Sequence, residues 1–165
     1  MAVLQSPNKQ GAVADLMTKK VVTCSPDARL SEAVGKMWEN DLGFLVVVRQ
    51  GERRPVGVLT DRDVCMAAYT QGRRLAEIPV HTAMARLVHS VPVGANSNDV
   101  HGMMRDKQLR RVPVVDGNGE LTGVVGLADL ARKVAEVEGA RALAETVRDV
   151  TRPRSPSAAE MDPIC

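Results

Sequence analysis

The stretch Gly57-Val58-Leu59-Thr60-Asp61-Arg62-Asp63 decides the fold, because the chain writes a version of it again at Gly123-Val124-Val125-Gly126-Leu127-Ala128-Asp129. In both copies a glycine opens a short apolar run and an aspartate closes the stretch. Upstream the echo continues at an offset one residue longer. Met17, Val21, Gly35, Met37, Leu42, Val47 and Val48 recur as Met84, Val88, Gly102, Met104, Leu109, Val114 and Val115, sixty-seven positions on. A period this long implies two similar supersecondary units packed on each other. Related halves build related clefts, so a departure from the repeat inside a cleft marks function.

Each half reads as strand, helix, strand, strand, helix. Gly11 to Thr18 predicts a short lead-in helix, and Val21-Val22-Thr23 an extended segment that stops at Ser25-Pro26-Asp27. Leu30, Ala33, Val34, Met37 and Trp38 fall at i, i+3, i+4, i+7 and i+8, the core face of a helix running to about Asn40. Phe44 to Val48 is a continuous apolar run suited to a strand covered on both faces. Val56 to Leu59 is the next strand, and Thr60 opens a helix that Gly72 ends. The second half gives a strand near Val88 to Val91, a helix from about Ser97 to Lys107, strands Val112 to Val115 and Leu121 to Val125, and a helix with Leu127, Leu130, Ala131 and Val134 inward. The short links between the paired strands make antiparallel hairpins. The expected organisation is a flexible start (1–10), repeat one (11–75), repeat two (76–138), a C-terminal helix (139–150) and a disordered tail (151–165) rich in proline and serine.

Composition narrows the function classes. With 165 residues, 44% hydrophobic and 25% charged, the chain suits one compact domain or two half-domains sharing a core. No apolar run approaches the roughly 20 residues that cross a bilayer, and Met1 to Gln10 has no signal-peptide pattern, so the expected location is the cytoplasm. Cys24, Cys65 and Cys165 are odd in number and widely spaced, which suits neither a disulfide framework nor a metal knuckle. His81, His89 and His101 show no metal-ligand spacing. A formal charge of +2 and an aromatic set of Trp38, Phe44 and Tyr69 speak against nucleic acid as the partner. Nucleophile elbows and phosphate loops are absent, so no catalytic residue is expected and the chain reads as a non-enzyme.

The element order, the Gly57-to-Asp63 signature and Leu109-Arg110-Arg111-Val112-Pro113-Val114-Val115-Asp116 resemble the cystathionine-β-synthase (CBS) domain family over roughly residues 11 to 135. Two such domains in tandem resemble the family's usual pair, the Bateman module, here standing alone. The fold this implies is α/β (α+β): two pseudo-symmetric β-α-β-β-α repeats packed through their sheets. Members of the family typically bind adenosine nucleotides or related ligands between the repeats and often form homodimers. The resemblance therefore implies a regulatory sensor for AMP, ADP, ATP or S-adenosylmethionine, signalling to a protein target. The competing reading is a structural or stress-related interaction protein whose clefts bind no nucleotide.

Thr60 offers a hydroxyl beside the free N–H groups of a helix start, where the dipole favours an anion. Asp63, one turn on, can accept hydrogen bonds from a ribose diol, and Gly57 leaves room for close approach. Spacing alone reads Thr60 and Asp63 equally as a helix cap, and the resemblance favours the ligand. It also implies that Arg110, with Arg111 beside it, reaches the phosphates and that Val88 and His89 line the base slot. Adjacent strand residues face opposite ways, so only one arginine looks into the cleft unless the strand ends there. In the other cleft the counterpart of Thr60 is Gly126, and those of Arg110 and Arg111 are Gly43 and Phe44. Asp129, Val21 and Val22 remain there. The expectation is one phosphate-binding cleft beside Asp63 and a degenerate one beside Asp129.

Overall fold

The computed structural model describes residues 12–134 and 140–152. The flexible start and all of the proline-rich tail beyond Arg152 lie outside the described residues. In chain order the elements are α1 (Val13–Leu16), β1 (Thr23–Cys24), α2 (Leu30–Glu39), β2 (Phe44–Val48), β3 (Pro55–Thr60), α3 (Asp61–Gln71), β4 (Val91–Pro92), α4 (Ser97–Lys107), β5 (Arg111–Val115), β6 (Leu121–Gly126), α5 (Leu127–Val134) and α6 (Ala140–Val150). Short 3-10 turns at Leu75–Glu77 and Val80–Thr82 link the halves.

Local chemistry sets the helix ends. Thr60 caps α3: the Asp63 N–H donates to Thr60 Oγ1 at 3.2 Å, and Thr60 N–H donates back to Asp63 Oδ2 at 2.8 Å. Gly72 ends that helix at φ 59°, a left-handed geometry that glycine adopts without strain. Asn96 does for α4 what Thr60 does for α3, accepting from Asn98 N–H and Asp99 N–H while Asp99 accepts from Asn96 N–H. On α2 the buried residues are Leu30, Ala33 and Met37. Trp38, expected on that inward face, is 88% exposed. It sits at the edge of the apolar stripe, where one further rotation of about 100° turns the ring to solvent.

Each half folds its strands into a three-stranded sheet, β1-β2-β3 in one and β4-β5-β6 in the other. The first pair in each sheet is parallel and the second antiparallel. The hairpin registers match between repeats, Phe44 opposite Thr60 and Arg111 opposite Gly126. The expected strand at Val88 to Val91 is shorter: only Val91–Pro92 pairs, and Val88 and His89 lie in irregular chain before it.

The lobes do not coincide with the sequence repeats. Leu30, Leu45, Leu59 and Val64 of the first lobe pack with Ile78 and Val80, which the repeat pattern assigns to the second half. Val13, the counterpart of Val80, and Leu16 beside it come from the first half and pack in the second lobe with Val91, Val100, Met104 and Val125. Backbone pairs fasten both lead-ins: Thr18 exchanges hydrogen bonds with Val124, and Ala85 with Val58. Met17 and Met84 then lie against the glycines of the quoted stretch. A Cβ at Gly123 would stand 2.5 Å from Met17 Sδ, and one at Gly57 would stand 2.6 Å from Met84 Sδ and 3.0 Å from the Ala85 carbonyl. The close approach expected at Gly57 is thus made by the chain itself.

The lobes also differ on their outer faces. In the second, α6 lies over α4: His101 Nδ1 is 2.6 Å from Thr146 Oγ1, and Arg105 pairs with Glu145 at 3.7 Å and Asp149 at 3.8 Å. In the first lobe the residue equivalent to Arg105 is Trp38, and Met66 and Tyr69 of α3 are exposed beside α2.

Candidate functional site

The turn from α4 into β5 places the basic residues. Gln108 ends α4 in the left-handed region at φ 51°, and the chain reverses through Leu109 into Arg110 and Arg111. Hairpin register then sets Arg111 opposite Gly126, while Leu127 N–H donates to the Arg110 carbonyl at 2.9 Å. Because β5 begins at Arg111, Arg110 stands outside the strand, free of its alternation, and both side chains reach the same space.

That space is a cavity of about 510 Å³ between the lobes. Arg110, Arg111, Gly126, Leu127, Asp129 and Arg132 line it from the second lobe, and Lys20, Val21, Val22, Leu42 and Phe44 from the other side. Its size lies within the range that encloses small molecules, about 300–1,000 Å³. Asp129 sits in the first turn of α5, where Gly126 N–H donates to its Oδ2 at 2.7 Å and Arg132 pairs with its Oδ1. The guanidinium of Arg111 lies over the Phe44 ring. Among the described residues Lys20, Arg110 and Arg111 form no ion pair. The cavity therefore presents three such cations, an Arg132–Asp129 pair and an apolar wall.

The structure groups these residues differently from the expectation. Arg110 and Arg111 do not meet Thr60 and Asp63; they meet Asp129, Val21 and Val22, in the cleft expected to be degenerate. Gly57, Thr60, Asp63, Val88 and His89 are absent from the lining. On the Asp63 side, Thr60 and Asp63 satisfy each other through three hydrogen bonds, including Thr60 Oγ1–H to Asp63 Oδ2 at 2.6 Å. Asp61 adds a second carboxylate there, over Gly43: a Cβ on that glycine would stand 2.8 Å from Asp61 Oδ2. Where the second lobe has Arg110, the first has a glycine facing an acid. Lys20, Leu42, Phe44 and Arg132 were not singled out as site residues from sequence. Lys20 stood next to the apolar pair Val21-Val22, and Arg132 stood three residues after Asp129 on a helix, so both carried a signal.

Burial pushes the Cys24 thiol up to about 11, against a smaller opposing pull from Lys36, which leaves it protonated and inert. Among the described residues no group of three or more His, Cys, Asp or Glu side chains could hold a metal ion. No helix of the described residues is long and apolar enough to cross a membrane.

Two pseudo-symmetric α/β lobes enclosing a basic, half-apolar cleft define a class of paired-domain modules. The chain belongs to the CBS domain family: the CBS domain profile matches residues 13–69 and 76–136, one domain per repeat. The CBS domain-containing protein YhcV of Bacillus subtilis is 38% identical over 120 residues, spanning 73% of this chain and 83% of that protein. A Methanopyrus kandleri protein is 32% identical over 119 residues, 72% of this chain, but the match spans only 60% of its length. Among solved structures, a CBS domain protein of Thermoplasma acidophilum superposes with a TM-score of 0.73 at 24% identity, covering 85% of this chain and 76% of the other. CBSX2 in complex with AMP superposes at 0.67 and 22% identity, covering 77% and 98%. The chain is thus a tandem CBS pair, a module of two repeats.

Proposed function

We propose that this chain is a regulatory sensor that binds an adenosine nucleotide in the cavity beside Asp129 and signals its presence to a protein target. The observation that carries the reading is the convergence of Lys20, Arg110 and Arg111 on an apolar cavity that also holds a carboxylate. The cations take the phosphates, Asp129 takes the ribose diol, and Val21, Val22, Leu42 and Leu127 surround the base. The AMP bound to CBSX2, a protein of the same fold, supports the ligand class. S-adenosylmethionine fits the charge poorly, because its sulfonium would enter a cavity whose net charge is already positive.

Calorimetry tests this directly. AMP, ADP or ATP should bind, S-adenosylmethionine should bind more weakly, and Asp129→Ala should weaken the nucleotide by about 1.5–3 kcal/mol. Asp63→Ala should leave its affinity unchanged. Absence of any heat with all three nucleotides at about 1 mM, a concentration that would saturate a useful sensor, would refute the reading.

A second copy of this chain is the partner assigned to the outer face of the first lobe. Trp38, Met66 and Tyr69 are exposed there, whereas α6 covers the equivalent face of the second lobe. Sedimentation of the wild type as a dimer, and of Trp38→Glu as a monomer, is the expected result. A wild type sedimenting at monomer mass at micromolar concentration removes this part of the proposal.

A further inference from the structure

Among the described residues Asp129 is the one carboxylate on the cavity, and both of its oxygens are engaged before any ligand arrives. Oδ2 accepts from Gly126 N–H, the bond that closes the first turn of α5, and Oδ1 is held by Arg132. The first bond belongs to the helix and its equivalent recurs at Thr60 and Asp63. The second belongs to this cavity alone, since the residue equivalent to Arg132 in the first repeat is Met66. Arg132 also lines the cavity alongside Arg110 and Arg111, and its side chain is 75% exposed, so nothing packed around it fixes it to Asp129.

We propose that Arg132 is a specificity switch that couples phosphate recognition to recognition of the sugar diol; this rests on the nucleotide reading above. In the empty cavity Arg132 masks Asp129 Oδ1. A nucleoside without phosphate can reach that oxygen only by displacing the guanidinium and leaving it without a partner, so its affinity is reduced. A phosphorylated nucleoside displaces Arg132 in the same way, but its phosphate oxygens then receive the guanidinium together with Arg110, Arg111 and Lys20. The diol gains the carboxylate and Arg132 exchanges one anion for another. Discrimination against adenosine therefore exceeds what direct phosphate contacts supply, because the unphosphorylated ligand breaks an ion pair without replacing it.

The two effects have opposite signs in one variant. Arg132→Ala unmasks Asp129 and removes one phosphate contact, so adenosine should bind at least about threefold tighter than to the wild type and AMP at least about threefold weaker. The ratio of the two affinities should fall by about tenfold or more. Calorimetry with adenosine and AMP on both proteins reads this crossing, and a thermal melt confirms that an exposed substitution leaves the fold intact. If the wild type binds AMP and Arg132→Ala weakens both ligands alike, or leaves the ratio unchanged, the switch is wrong while the nucleotide reading survives. If the wild type binds neither ligand, both are wrong.

Discussion

The guanidinium of Arg111 lies 6.0 Å from the centre of the Phe44 ring, and these two residues occupy the same position in the two repeats. A residue on the pseudo-two-fold axis meets its own counterpart. Arginine in both repeats would set two guanidinium groups against each other at the cavity wall. With phenylalanine in one, the contact becomes a cation–π pair worth about 0.5–2 kcal/mol, and the remaining arginine is oriented toward the second lobe's cleft. The inequality of the two clefts follows in part from this one substitution.

Phe44→Arg should accordingly destabilise the protein by about 1–2 kcal/mol, through loss of the pair and added like-charge repulsion. Phe44→Leu should cost less than about 1.5 kcal/mol, as a swap between apolar residues of similar volume does. Denaturant unfolding of both variants checks the order; a stable Phe44→Arg would show that the axis contact carries no energy.

Gly123→Ala should cost about 1–3 kcal/mol, because the new methyl meets Met17. Combining it with Met17→Ala should recover part of that loss, giving a coupling above about 0.5 kcal/mol in a double-mutant cycle. Strictly additive effects would mean that the methionine moves aside freely.

The contact between α4 and α6 titrates. Burial first, and then the nearby Arg105, hold His101 below its ordinary pKa of 6.5. The folded state therefore binds fewer protons than the unfolded chain as pH falls through 6.5, so this site's contribution to stability is complete above that pH and is lost on acidification toward the folded pKa. Glu145 and Asp149 face Arg105 from α6 at 3.7 and 3.8 Å. Melting temperatures should fall between pH 7.5 and 5.5 in the wild type and fall less in His101→Phe. Thr146→Val should cost about 1–3 kcal/mol at neutral pH by leaving a buried ring nitrogen without its hydroxyl.

Thiol reactivity should separate the two cysteines of the described residues. In a Cys165→Ser background, exposed Cys65 should react with an aromatic disulfide at once, and buried Cys24, pushed up to about 11, only on unfolding. Prompt reaction of both thiols would mean that the first lobe opens readily.

The elements were legible because each carries its own punctuation: Thr60 and Gly72 bracket α3, and the apolar runs Phe44–Val48 and Leu121–Val125 are too short for helices. Trp38 was misplaced because periodicity gives an angle and not the width of the buried stripe. The grouping of the site was legible in principle. Once Val112–Val115 and Leu121–Val125 are read as a hairpin, Arg111 must stand level with Gly126 and so beside Asp129, on the same lobe. The resemblance to a family in which a basic residue reaches across to the other repeat outweighed that simpler register argument. The Arg132–Asp129 pair is local, three residues apart on α5, whereas the Phe44–Arg111 contact and the contribution of Lys20 depend on how the lobes meet, which no local pattern encodes.

The exchange of lead-in segments has a consequence for the order in which the molecule can be made. Val13 and Leu16 leave the ribosome first, yet the residues that bury them, Val100, Met104 and Val125, are synthesised roughly a hundred positions later. The first lobe can close as soon as Ile78 and Val80 have emerged, while its own leading helix waits, apolar side exposed, for most of the second repeat. A ribosome-stalled chain long enough for Val80, but not Val91, to have cleared the exit tunnel should therefore hold a protected first lobe and a protease-sensitive α1. Splitting the protein at residue 75 should yield two fragments that fold only when mixed, each carrying a piece of the other's core.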